Sequence, residues 1–225
     1  VSLTAHDLAA GELKCDCPVP EELALKVDPK NDRPDATAAI GVIPICPDYF
    51  ADDFEFYPLG PICGQGGWEE WIESTDVCGS VTSERAFDGL KAIKIVGKVG
   101  GSTGLGDDTV HRFNASGGSW AFRAMTFVPN DATGVGYVIF LNTYDDPPGA
   151  PSGTYRFSVQ VQFNADTGFV IPEPVANQSV PLVRGRWAEF RVYIDLDNDL
   201  VLYFYDDEFF SARSWVDGVS TGGRP

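Results

Sequence analysis

No apolar run in this chain of 225 residues approaches about 18 residues, so no stretch reads as a membrane-spanning helix. Basic residues are scarce: 16 Lys and Arg face 33 Asp and Glu, for a formal net charge of −17. Such a chain repels phosphate backbones, which argues against a nucleic-acid partner. There are only two histidines, His6 and His111, which leaves little for a zinc site or a Ser-His-Asp triad. The opening VSLTAHDLAAGELKCDC has neither the basic start nor the apolar core of a secretory signal. Sustained helical periodicity is also missing.

What is present is β pattern. KAIKIVGKV alternates, and SWAFRAMTFVP, GYVIFLNTY, TYRFSVQVQFNA, RWAEFRVYIDL and LVLYFYDDEFF are long, aromatic and β-branched. DDFEFY reads as the first strand of this set. The joints PND, DDPPGAPSG, NADTG, VRGR and DLDND carry turn chemistry. Strands of this number and length predict an all-β, two-sheet antiparallel sandwich over 49–225. Residues 1–48, broken by prolines and without a period, read as an extended arm that carries Cys15, Cys17 and Cys46.

Five cysteines in a β-rich chain point to an oxidising compartment, hence to a secreted or cell-surface protein. Cys63 and Cys78 stand 15 apart in CGQGGWEEWIESTDVCG, and their proximity makes them the favoured disulfide. The other three leave one bridge and one free or intermolecular thiol, with connectivity open. Cys15 and Cys17 are too close together for a usual zinc pair. Asn114-Ala115-Ser116 and Asn177-Gln178-Ser179 fit the N-glycosylation pattern.

Candidate binding residues come from two places. In TYRFSVQVQFNA, period two puts Tyr155, Phe157, Val159, Val161 and Phe163 on a core face. Arg156, Ser158, Gln160, Gln162 and Asn164 then share the opposite face. Gln160 and Gln162, with Arg156, suit hydrogen bonding to sugar hydroxyls in a cleft, and the plainer alternative is an ordinary wet sheet face. Tyr144, Asp145 and Asp146 lie at a strand end beside a long loop, where ligand groups tend to sit. In the cysteine-bounded stretch, Trp68 and Trp71 are either sugar-stacking platforms or buried caps of the sandwich edge, the second being simpler. Glu69, Glu70 and Glu73 accompany them.

DDFEFYPLGPICGQGGWEEW followed by VTSERAFDGLKAIKIVG resembles the opening of bacterial secreted concanavalin A-like (laminin-G-like) jelly-roll domains. WAFRAMTFVPND, YVIFLNTYDD and RGRWAEFRVYIDLDND continue the likeness, which covers about residues 52–215. It implies a jelly roll of two antiparallel sheets, often a domain that binds glycans or mediates adhesion. It also implies a closing strand beside the first, whereas SWVDGVSTGGRP shows no β-run. The arm is therefore expected to pack against a sheet, in its own subunit or a neighbour, through ELALKV or AAIGVIPI, with Pro44 confined to an edge. A structural calcium near the first strand, beside Asp52, Asp53 and Glu55, fits such folds but has no assigned ligand set. DLDND lacks the Gly and Glu of a calcium loop and reads as a hairpin turn.

Glucanases of this fold carry paired carboxylates on one strand, and Glu189 and Asp195 do not have that spacing. The lyase pattern lacks its histidine beside the glutamines. The expectation is thus a secreted or surface glycan-binding, adhesive module without catalysis. The alternative is a structural subunit, a homo-oligomer or larger assembly joined to other surface proteins through the arm and a sheet edge.

Overall fold

The computed structural model describes the chain at residues 2–4, 7–15, 49–71, 78–97, 106–113, 115–145 and 154–219. It is all-β, and two antiparallel sheets pack as a sandwich. The strands are β1 (Ser2–Thr4), β2 (Asp7–Cys15), β3 (Tyr49–Asp52), β4 (Gly60–Pro61), β5 (Trp68–Glu70), β6 (Ser80–Thr82), β7 (Ala92–Lys94) and β8 (Thr109–His111). They continue with β9 (Ser119–Phe127), β10 (Val135–Asp145), β11 (Thr154–Asn164), β12 (Phe169–Pro172), β13 (Val180–Pro181), β14 (Trp187–Asp195), β15 (Leu200–Tyr205) and β16 (Glu208–Arg213). A seven-stranded sheet runs β13-β12-β11-β10-β1-β8-β5. The facing sheet runs β16-β15-β14-β9-β2-β7-β6-β4, with β3 also paired to β2. Among the described residues, no helix is long and apolar enough to cross a membrane.

Alternation builds the core. On β14, Ala188, Phe190, Val192 and Ile194 are buried while Trp187, Glu189, Arg191 and Tyr193 face out. β9 follows the same rule, with Phe122, Ala124 and Thr126 turned in. The inner faces meet through ring contacts such as Phe122 with Phe140 and Phe163 with Tyr205.

Residues 2–4 and 7–15, within the stretch read as an arm, are interior strands, one in each sheet. β1 lies between β10 and β8, and β2 lies between β9 on one side and β7 and β3 on the other. ELALKV and AAIGVIPI lie outside the described residues, as do Cys17 and Cys46.

Three strand readings are corrected. DDFEFY is not a strand, because β3 ends at Asp52 and residues 53–57 turn away. The cause is Asp52, whose Oδ1 accepts the Phe54 N–H at 2.9 Å. A side chain that binds the backbone two residues on competes with the sheet ladder. LVLYFYDDEFF is two strands, β15 and β16, joined at Asp206 and Asp207, with φ of 50° and 64°. Positive φ at both central residues is the signature of a tight hairpin turn. On β11 the period breaks: Val159 pairs with Phe140, but Phe157 pairs with Leu141, leaving Ser158 as an extra residue. A slip of one residue exchanges faces. Tyr155 and Phe157 therefore leave the core face, Arg156 leaves the face of Gln160 and Gln162, and Ser158 is fully buried.

The Cys63–Cys78 disulfide is formed, with Cα atoms 5.9 Å apart. It closes the loop that carries β5 across to the seven-stranded sheet. Gly66 must be glycine there: its φ is 55°, and a Cβ would lie 1.9 Å from the Tyr57 hydroxyl oxygen.

Asp52 holds the two sheets together at this end. Only 6% exposed, it sits on β3 of one sheet and accepts the indole N–H of Trp68 on β5 of the other at 2.7 Å. The same Oδ2 accepts the Tyr57 hydroxyl at 2.7 Å. Burial and this carboxylate raise the Tyr57 phenol above its ordinary pKa, so it stays a donor. Asp52→Ala would strand three donors. It should cost about 3–5 kcal/mol in urea unfolding, as for a broken buried network, and Asp52→Asn should cost less. A loss below about 1 kcal/mol for Asp52→Ala would show that the hub is not structural.

Candidate functional site

The outward face of the larger sheet carries a groove of about 850 Å³. Its floor comes from the outward positions of β9 and β14: Arg123, Met125, Trp187, Glu189 and Arg191. Pairing sets Arg123 directly opposite Arg191, an unfavourable meeting of like charges. Glu189, one outward position away, resolves it. Its Oε2 accepts from Arg123 and its Oε1 accepts from Arg191 Nη1 at 2.8 Å. Arg191 also lies over the Phe204 ring at 5.0 Å, and its Nη2 is 3.7 Å from Asp207. Alternating charges thus cross the strands and end at the hairpin turn.

The walls are the turn after β3 and the loop before β7. Glu55 joins them: its Oε1 accepts the N–H groups of Leu90 and Lys91, each at 2.7 Å. Lys91 Nζ returns to the carbonyls of Glu55 and Tyr57 at 2.8 and 2.7 Å. This clasp leaves Phe56 94% exposed and Phe87 48% exposed at the groove edge. Phe87 meets Trp187 edge to face at 6.0 Å, and Trp187 meets Phe127 in the same way at 5.4 Å. Across the groove, Arg186 donates to both oxygens of Asp206 and holds its carboxyl below the usual pKa. Sequence reading missed Trp187 and Arg191 as site residues. The parity argument applied to TYRFSVQVQFNA, if applied to RWAEFRVYID, puts Trp187, Glu189 and Arg191 on one outward face.

The residues chosen from sequence lie in several places. Gln160 and Gln162 both donate to the Glu173 carboxylate just after β12, and Asn164 donates to Gln162 at 3.4 Å. Their amides thus fasten β11 to the following turn. Burial and Glu173 together raise the Tyr137 phenol. Arg156 is exposed opposite Thr143. Tyr144 is half-buried under the Arg112 guanidinium, 4.3 Å away. Asp145 ends β10, and Asp146 lies outside the described residues. Trp68 and Trp71 are buried, 6% and 9% exposed. Trp68 is bound to Asp52, and Trp71 packs on Tyr144 at 5.2 Å and Tyr155 at 4.8 Å, so their faces are covered by protein. Glu69 accepts from Arg112 at 2.9 Å.

The acidic groups considered for calcium have protein donors. Besides Asp52 and Glu55, Asp53 Oδ1 accepts the Glu55 N–H at 3.1 Å. DLDND is the β14–β15 hairpin turn. Asp195 caps Asn198, Asp197 accepts the Gly118 N–H, and Asp199 accepts from Ser214 and Val216. Among the described residues, no three His, Cys, Asp or Glu side chains are grouped as a metal site.

His111 sits among Phe50, Phe113 and Trp68, with Nε2 3.1 Å from the Gly66 carbonyl oxygen. Burial lowers its pKa below 6.5, despite the opposing pull of Gly66 and Asp52.

Two measurements follow from these placements. The Gln160→Ala/Gln162→Ala double variant should lose roughly 1–3 kcal/mol, because the partly buried Glu173 loses its donors. A change within about 0.5 kcal/mol would return both residues to a merely solvated face. For His111, the unfolded chain takes up the proton more readily than the folded one. Its contribution is present above the unfolded value of 6.5 and is lost as pH falls through that value towards the lower folded pKa. Thermal stability should therefore decline below about pH 6.5, and His111→Phe should flatten that slope. An unchanged slope in the variant would assign it to other groups.

Comparison with protein-family models, curated proteins and solved structures gives no match.

Proposed function

We propose that the chain is an extracellular glycan-binding module of the jelly-roll, concanavalin A-like class, acting without catalysis. The supporting observation is the groove on the open face of the larger sheet, with exposed rings at its edge and a charged floor. Phe56, Phe87 and Trp187 offer apolar faces for the C–H faces of sugar rings. Arg123, Arg191, Asp53 and Asp207 offer donors and acceptors for hydroxyls at fixed positions. A site that combines apolar surface with a few placed polar groups suits such a ligand. Both oxygens of Glu189 are engaged by guanidinium groups, which favours a structural and binding role over acid–base work. The net charge of −17 favours neutral glycans over polyanionic ones.

A glycan array followed by calorimetry tests this reading. Phe56→Ala and Phe87→Ala should each weaken binding by about tenfold, which is 1.4 kcal/mol, and Tm should stay nearly constant because both rings are exposed. Retention of no glycan, or full affinity in the double variant, would overturn it.

A further inference from the structure

A second cavity, of about 420 Å³, lies between the sheets, where β8 and β10 face the start of β9 and the end of β14. Its apolar wall includes Phe113, Trp120, Phe140, Ile194, Leu196 and Trp215. Protein interiors pack as densely as organic crystals and carry few voids larger than a water. An engineered apolar cavity of about 150 Å³ already takes up benzene. The volume here admits a molecule of two or three rings.

Several polar groups at the rim are turned to the protein. Asn142 Nδ2 donates to the Trp215 carbonyl at 3.2 Å, and its Oδ1 accepts from Thr143 at 3.2 Å. Trp120 Nε1 donates to the Gly117 carbonyl at 2.9 Å. Arg112 Nε is held by Glu69 at 2.9 Å, and His111 Nε2 by the Gly66 carbonyl. A polar or charged ligand would lose its hydration there and gain little in exchange. Two facing sheets also define a slot, which suits a flat molecule. Its walls present aromatic rings, which favour offset or edge-to-face contact with another ring.

We infer that this cavity is a binding site for a small, uncharged, planar aromatic molecule. It is separate from the groove, which lies on the outward face of one sheet, and it does not depend on the glycan reading.

The probe is N-phenyl-1-naphthylamine, which is uncharged and aromatic. With the intact protein it should show saturable, one-to-one fluorescence enhancement in the micromolar range, quench tryptophan emission and raise Tm by mass action. Ala115 lies on the cavity wall and is itself exposed, so a larger side chain can be placed there without loading the core. Ala115→Trp should weaken the probe at least tenfold and leave both Tm and glycan binding unchanged. If that variant fails to fold, Ala115→Phe is read in the same way. The proposal is overturned by any of four results: no saturable binding, undiminished binding in the filled variants, tighter binding of 1-dodecanol than of the probe, or loss of the probe signal in Phe56→Ala. The last would place the probe on the exposed outer surface.

Discussion

The buried carboxylate of Asp52 is the contact on which one whole end of this molecule depends. A charge with 6% exposure is costly unless its oxygens are filled, and here the donors come from three directions. The Phe54 N–H holds a non-glycine residue at φ 63°, a conformation that persists only where its surroundings enforce it. The Trp68 indole ties the opposite sheet, and the Tyr57 phenol fills the bend between. Because the chain turns at Phe54, Glu55 reaches Leu90 and Lys91, and Phe56 is left outside. The wall of the groove is thus a consequence of how one inward acid is satisfied. The Cys63–Cys78 bridge acts on the same region, holding the base of the loop that delivers Trp68.

What the sequence made legible was whatever depends on neighbours along one strand. The alternation of WAEFRVYID carries over to the structure residue by residue, and that of SWAFRAMTF does so from Phe122 onward, because side-chain direction in a strand follows from parity. The short loop between Cys63 and Cys78 gave their pairing for a similarly local reason. Parity fails where pairing with another strand inserts a residue. Nothing within TYRFSVQVQFNA announces that Ser158 is surplus to its partner strand, so Tyr155 and Phe157 read as core residues from parity. The same limit hid the partner of Gln160 and Gln162. Glu173 lies beyond the next turn, and only the antiparallel return of β12 brings it beneath both amides. The acidic run DDFEF shows no partners along the sequence because its donors, Trp68, Tyr57, Leu90 and Lys91, are distributed over nearly forty residues of chain.

The groove and the inter-sheet cavity differ in how their polar atoms are satisfied. On the outer face, the alternation of Arg123, Glu189, Arg191 and Asp207 balances charge locally in a chain that is strongly acidic as a whole. Such surface pairs add little stability, since solvent screens them. Their effect is positional: they fix the directions of long side chains that would otherwise sample many rotamers, which lowers the ordering cost of any ligand that meets them. Between the sheets several polar atoms are instead turned into the protein, and most of the surface offered is that of rings and aliphatic chains.

The irregularity on β11 is what allows the inter-sheet cavity to have its outer wall. Where Ser158 is extruded from the ladder, the carbonyl of Phe157 accepts the Val219 N–H at 3.2 Å from the segment after β16. Gly218 passes so close that a Cβ would lie 2.1 Å from the Ser158 carbonyl oxygen, a contact with backbone that no side chain could relieve. On β10, Asn142 is the matching surplus residue, and its amide takes the Trp215 carbonyl. The two bulged strands thus bind the segment that follows β16, and that segment brings Trp215 to the wall of the cavity that Phe140 and Leu196 also line. The departure from period two that defeats a strand-by-strand reading is thus the feature that joins the two sheets at this end, as Asp52 joins them through β3 and β5.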